Sequence, residues 1–257
     1  MIFLLKKNMK RCVADTRSFL PRPKPGGVRI LMYHSVGGSP KDHRLAIRVG
    51  VDNFRAQLDE ISRAGYDTLT VSDILSGVLS RPSGKFIAIT FDDGYKDNIT
   101  EAAAALRTRG MKATFFITTA NINGKSVKKW SDGRPREYMN WDDVSRLGRM
   151  GFEIGSHMAD HVDLTSLDDS GLLSQFEGSK NEITEKTGIE PKTFSYPYGR
   201  LNDRVVAAAK NAHYAGGCSS FKGLNRRSSD PLILRRTEID GYDTISDFTA
   251  KIIGYYD

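Results

Sequence analysis

The chain predicts an α/β barrel, distorted or incompletely closed, on three observations. Eight short apolar or β-branched runs alternate with amphipathic segments from Val28 onward, the pattern of parallel strands covered by helices. The length of 257 residues suits a single α/β barrel. Polar residues suited to chemistry follow the carboxyl ends of several runs. An open sheet would spread these along one rim, whereas a barrel gathers them at one mouth.

In chain order, the expected strands are Arg29–Tyr33, Asp67–Thr70, Phe86–Phe91, Ala113–Ile117, Phe152–Gly155, Thr193–Ser195, Ala215–Cys218 and Leu232–Arg235. Most are bounded by Gly or Asp. The expected helices are Val51–Ala64, Val71–Leu79, Lys96–Arg109, Trp141–Met150, Ser170–Thr187, Asp203–Asn211 and Ile245–Ile253. Gly110 and Gly188 follow cationic last turns, as C′ glycines do. Asn140 suits the cap of the helix at Trp141, with Asp142 and Asp143 in its first turn. Two polar stretches, Thr118–Met139 and Ser219–Asp230, read as long loops.

The net charge of +7 is concentrated at one end. Residues 1–27 carry seven Lys or Arg against Asp15 alone, so residues 28–257 contribute only +1. A nucleic-acid-binding body would concentrate cations on a folded face, and none is expected here. The basic arm 1–27 is expected to be disordered, with weak contact to an anionic membrane surface as its sharper reading. Its apolar run, Met1–Leu5, is too short for a signal-peptide core or a bilayer span. That favours a cytoplasmic or membrane-peripheral location, with an extracytoplasmic one left open. Pro21, Pro23, Pro25, Gly26 and Gly27 mark where the folded body, 28–257, begins. Cys12 and Cys218 form no disulfide framework or metal-spaced pair.

Two motifs carry the chemistry. Thr90-Phe91-Asp92-Asp93-Gly94 places paired carboxylates at the end of an apolar strand. One can bind a metal while the other stays free as a base; a buried strand aiming both at nothing would cost too much desolvation. His157-Met158-Ala159-Asp160-His161 holds two imidazoles at i, i+4, on one face if the backbone is helical. His34, ending Ile30-Leu31-Met32-Tyr33, is placed to donate a proton to a leaving group. Two histidines, a carboxylate and a spare carboxylate describe a metal-dependent hydrolase. His43 and His213 have no such context.

These motifs resemble the polysaccharide deacetylase family, also called NodB-homology or carbohydrate esterase 4, from about Val28 to the C-terminus. Thr90–Gly94 is identical to the family's first motif. His157–His161 matches the second, His-Ser/Thr-x-x-His, with Met158 in place of the hydroxyl residue. Phe194-Ser195-Tyr196-Pro197-Tyr198-Gly199 resembles the third, Arg-x-Pro-Tyr/Phe-Gly. Leu31-Met32-Tyr33-His34-Ser35-Val36 is similar to the poly-N-acetylglucosamine deacetylases, whose catalytic histidine precedes the first motif. The resemblance implies a distorted (β/α)7-8 barrel of the NodB-homology type. It implies Asp93, His157 and His161 as metal ligands, Asp92 as general base, His34 as general acid, and the Tyr198 backbone N–H as oxyanion donor. Trp141, Tyr196 and Pro197 would contact the sugar. Ser195 stands where many members carry an arginine that holds the base, and Arg235 or Arg236 is expected to replace it. Loss of the hydroxyl at Met158 removes one brace of the second-motif loop.

The implied reaction releases acetate from N-acetylglucosamine-type poly- or oligosaccharides. Zn2+ best suits two imidazoles and a carboxylate, with Co2+, Mn2+ or Ni2+ compatible. Three alternatives stay open: an O-acetyl esterase on acetylated glycans, a non-haem iron oxygenase using the same facial donor set, and a degenerate sugar-binding protein.

Overall fold

Alternation along the strands decides which residues face inward. In a computed structural model, which describes residues 27–77, 84–125 and 128–255, the main strands are β1 (Arg29–Tyr33), β4 (Asp67–Leu69), β5 (Phe86–Phe91), β6 (Thr114–Ile117), β7 (Glu153–Ser156), β8 (Thr193–Ser195), β9 (Gly216–Cys218) and β10 (Thr237–Glu238). All pair in parallel, in the order β10-β1-β5-β6-β7-β8-β9. β5 divides its free edge: Phe86–Ala88 pair with β4, and Thr90–Phe91 pair with β6. Leu31, Tyr33, Ile87, Ile89, Phe91 and Phe115 pack outward with residues of the helices Val51–Arg63, Trp141–Arg149 and Ile245–Ile253. Ile30, Ala88, Phe116, Cys218 and Leu234 fill the interior. Gly155 of β7 is glycine because an added Cβ would lie 2.5 Å from the Phe116 ring.

The sheet curls into a distorted barrel, and its closure corrects the expected last strand. Leu232–Arg235 forms no strand. It lies beside β9, bridging Cys218 through Leu234, and the chain then enters β10, which pairs with β1. Asn225 explains the break. Its side chain accepts from Arg235 N and donates to Arg235 O, each at 2.8 Å, withdrawing that residue from the ladder. A parallel pair too short to be anticipated, β2 (Ser35–Val36) with β3 (Arg48–Val49), supports the loop after β1.

Two expected helices carry π-turns. Asn98–Ala102 precedes the α-helix Ala103–Arg107, and Ser174–Gly178 separates Asp169–Leu173 from Ser179–Thr187. The stretch 118–139 also begins with a short helix, Thr119–Ile122. Asn140 caps Trp141–Arg149 in a capping box with Asp143, and Gly188 closes its helix in the left-handed region, both as expected. The expected helix Val71–Leu79 ends earlier, at Leu75, with Ser76 as its C-cap and Gly77 at φ +99°; positions 78 and 79 lie outside the described residues. The basic arm, apart from Gly27, lies outside the described residues. Among the described residues, no helix is long and apolar enough to cross a membrane.

Glu153 ties the opposite end of the barrel together. Its carboxylate accepts from Ser72 N (3.1 Å), Ser72 Oγ (2.6 Å), Thr114 Oγ1 (2.7 Å) and Thr193 Oγ1 (2.7 Å), joining β6, β7 and β8 to the helix start at Val71. Replacing Glu153 with Ala strands these donors and should cost about 2–4 kcal/mol. A lower denaturant midpoint with an unchanged slope would show it, and Glu153→Gln should fall between the two.

Candidate active site

The inward face of β5 continues Ala88, Thr90, Asp92, so period-two geometry delivers Asp92 to the mouth of the barrel. Arg236 meets it with two parallel bonds, Nη1 to Oδ1 and Nη2 to Oδ2, both 2.8 Å. Asp92 is 2% exposed and Arg236 1%. Burial raises the Asp92 carboxyl, but the Arg236 and His157 charges outweigh it and hold the group below its ordinary range. Burial pulls the Arg236 guanidinium down, and Asp92 more than restores it.

Asp93 would face the other way on a regular strand. Instead it takes φ +75° and Gly94 φ +78°, a left-handed turn that brings the second carboxylate into the same cavity. Asn121 Nδ2 donates to Asp93 O at 3.0 Å and holds the turn. Burial pushes the Asp93 carboxyl up, but His161, His34 and His157 hold it well below the ordinary value.

His157 follows Gly155 on the inward face of β7. Its Nδ1 lies 2.9 Å from Ser195 O and 2.5 Å from Ser195 Oγ. A carbonyl only accepts, so Nδ1 carries the proton and Nε2 keeps its lone pair. Nε2 lies 3.5 Å from Asp93 Oδ1, and His161 Nε2 lies 3.1 Å from the same oxygen. Asp93 Oδ1 is nonetheless buried without an aligned hydrogen-bond donor. These three ligand atoms lie within 4.8 Å of one another. A buried carboxylate oxygen facing two imidazole nitrogens is a set that a divalent cation satisfies, so the residues fit a metal.

The condition under which i, i+4 spacing puts both histidines on one face, a helical backbone, is not met. Residues 157–163 form a loop, with Met158 at φ +63° and His161 at φ +52°. Ser156 Oγ accepts from Met158 N, and Gln175 Oε1 accepts from Ala159 N and Asp160 N. Gln175 comes from the second π-turn. The Met158 side chain packs in the apolar cluster with Leu164, Phe176 and Phe194. The brace expected from a hydroxyl there is supplied by neighbours.

His34 extends the inward series Ile30, Met32, and Asn98 Nδ2 from the first π-turn holds its carbonyl at 2.7 Å. His34, Asp92, Asp93, His157, His161, Tyr196, Tyr198 and Arg236 line one cavity of about 520 Å3. Tyr198 has φ +58° and is 59% exposed, its ring edge-on to His161 at 4.6 Å. Tyr196 is buried and donates to Leu232 O.

Three expected residues fall elsewhere. Arg235 is exposed and its guanidinium donates to Lys222 O, so Arg236 alone of the two reaches Asp92. Trp141 donates to Asn123 Oδ1 and packs on the outer core; neither it nor the buried Pro197 lines the cavity. His43, left unassigned by its sequence context, does line it. Asn98, Asn121 and Gln175 carried no sequence signal as supports.

Comparison with known proteins agrees with this architecture. Residues 80–217 match the model of the family described as Polysaccharide deacetylase. The chain is 30% identical over 240 residues to YxkH of Bacillus subtilis (strain 168), a polysaccharide deacetylase by name, covering 93% of this chain and 80% of that protein. It is 32% identical over 178 residues to the peptidoglycan-N-acetylglucosamine deacetylase PgdA of Listeria monocytogenes serotype 1/2a (strain 10403S), covering 69% of this chain but only 33% of PgdA. In fold it is similar to the Streptococcus pyogenes deacetylase PplD, solved in complex with acetate, with TM-score 0.77, 22% identity, 89% of this chain and 99% of that one. The chain belongs to the polysaccharide deacetylase family.

Burial lowers His157 to about 4, and burial with Arg136 lowers His43 to about 4. An unfolded imidazole titrates near 6.5, so between about pH 4 and 6.5 the unfolded state binds more protons than the native one. Stability is therefore complete above that window and falls as pH drops through it. Melting of chelated protein should show Tm declining across this range, and His43→Gln should flatten the decline.

Proposed function

We propose that this chain is a metal-dependent hydrolase that removes N-acetyl groups from N-acetylglucosamine-type poly- or oligosaccharides and releases acetate. The observation that carries the reading is the convergence of Asp93 Oδ1, His157 Nε2 and His161 Nε2 beside a carboxylate that Arg236 has immobilised. Residues 28–257 form the proposed catalytic unit. Asp93, His157 and His161 would hold the cation, with Zn2+ best matched to their donor set. Such a cation supplies Lewis acidity toward a carbonyl oxygen and acidifies water.

The chain's own groups divide the remaining work. Asp92 is the general base and takes the proton of the attacking water. Arg236 keeps both its oxygens oriented and the group ionised. His34, lining the same cavity, is the general acid that returns a proton to the leaving nitrogen. The Tyr198 N–H is the donor to the oxyanion, displayed by the left-handed turn at that residue. Tyr196 lines the sugar site. Names of relatives support the amino-sugar assignment, PgdA being a peptidoglycan-N-acetylglucosamine deacetylase.

Acetate release from N-acetylglucosamine oligomers, before and after chelation, tests the reading. Chelation should abolish release and Zn2+ restore it. Asp92→Asn and His34→Ala should each lower kcat by about two to four powers of ten. Arg236→Ala should lower kcat by at least about tenfold while Arg235→Ala stays within about twofold, because only Arg236 touches the base. Full activity after chelation, or in Asp92→Asn, would refute the assignment.

A further inference from the structure

Cations with no acidic partner among the described residues gather at the mouth of the cavity. Arg44, Lys128 and Arg136 line it, from the loop before β3 and from the stretch that follows helix Thr119–Ile122. Deeper in, Arg236 and Asp92 neutralise each other, and Asp93 belongs to the cation ligands. Glu238 is the remaining acid of the lining. Residues 28–257 together carry only +1, so this local excess is no overflow from a generally basic body.

Arg136 separates the group from an ordinary charged fringe. Its guanidinium carbon lies 4.8 Å from the centre of the Trp130 ring. Its Nη1 donates to the Tyr95 hydroxyl at 3.3 Å and its Nε to Lys129 O at 3.2 Å. Trp130 itself is stacked on Tyr95, and Tyr95 on Tyr138. Arg48 lies over the same Trp130 ring at 4.2 Å, but it is paired with Asp42 at 2.9 Å and faces Asp97 at 3.8 Å. Arg136 makes no carboxylate pair among the described residues. One arginine on this platform is neutralised, and the other is held in place with its charge uncompensated. A guanidinium fixed before its partner arrives loses less freedom on binding, and its fork suits carboxylate or phosphate oxygens.

We propose that Arg136, with Arg44 and Lys128, forms an anion subsite, so that the preferred substrate is an acetylated amino-sugar glycan bearing a carboxylate or phosphate near the unit hydrolysed. This rests on the deacetylase reading and narrows it. The anion lies outside the reacting centre and contributes binding and orientation.

Three N-acetylated glycans of matched length test it: a neutral N-acetylglucosamine oligomer, one with carboxylates on alternate sugars, and one bearing phosphate. Acetate release gives kcat/KM, and titration calorimetry on the Asp92→Asn protein gives affinity without turnover. At least one anionic glycan should exceed the neutral one by about tenfold in both measures, and the advantage should shrink as salt rises from about 0.05 to 0.5 M. The carboxylate and phosphate arms identify which anion is taken. Arg136→Gln, and separately the double variant Arg44→Gln/Lys128→Gln, should each reduce the preference at least about threefold. Arg107→Gln, an exposed cation outside this cavity, should leave it intact. Equal affinity for all three glycans, or a preference indifferent to salt and to both sets of variants, overturns the subsite. Because affinity decides the subsite and acetate release decides the deacetylase reading, the two fail separately.

Discussion

The pair between Asp92 and Arg236 is the constraint on which both the barrel and its chemistry rest. The residues are 144 positions apart and almost fully buried. Breaking such a pair by deleting one partner leaves an uncompensated charge, costing about 3–5 kcal/mol. Arg236 does more than neutralise. Its backbone N donates to Phe221 O, its Nε to Ser219 O, and its Nη1 approaches Thr90 Oγ1 at 3.3 Å. One side chain thus joins the end of β5, the loop after β9 and the approach to β10, where the sheet must close. Orientation of the candidate base and closure of the barrel are the same set of bonds.

Around that fixed point the backbone is strained where the site residues stand. Asp93, Met158, His161 and Tyr198 all have positive φ, although none is glycine. Left-handed conformations of such residues cost on the order of 1–2 kcal/mol each and persist only where surroundings enforce them. At Asp93 and in the histidine loop the enforcement comes from side-chain amides. Asn121 holds the Asp93 carbonyl, and Gln175 holds two successive N–H groups of the histidine loop. Asn98 does the same for His34 from the other π-turn. Both π-turns therefore present amides that an uninterrupted helix would rotate away, in keeping with the frequency of such turns at functional sites.

This explains what the amino-acid sequence disclosed and what it withheld. Buried parallel strands are near-continuous apolar runs, so Arg29–Tyr33 and Phe86–Phe91 are legible from composition. Asp92, Asp93, His34, His157 and His161 were legible because they follow such runs. The last strand lies beyond Leu232–Arg235 because Asn225, ten residues earlier on the preceding loop, occupies the backbone of Arg235. The i, i+4 spacing left open how the two histidines meet, because spacing cannot reveal a left-handed turn at a methionine. Arg235 and Arg236 were indistinguishable locally; which one points inward depends on that same Asn225 contact. Gln175, Asn98 and Asn121 look like ordinary polar helix residues until the loops they hold are in place.

Ser195 shows how the departures from the family pattern fit together. An arginine is expected there by resemblance, and its usual task is to hold the base. Here the small serine leaves room for His157, whose Nδ1 rests between Ser195 O and Oγ, while Arg236 reaches Asp92 from the approach to β10. The guanidinium that pairs with Asp92 therefore comes from position 236. A second arginine at position 195 would set two buried cations against one carboxylate and displace the hydroxyl beside His157, opposing the charge balance. The two positions work together: the backbone carbonyl of Ser195 sets the proton on the imidazole, its small side chain leaves the space free, and Arg236 fixes the charge of the carboxylate beside it.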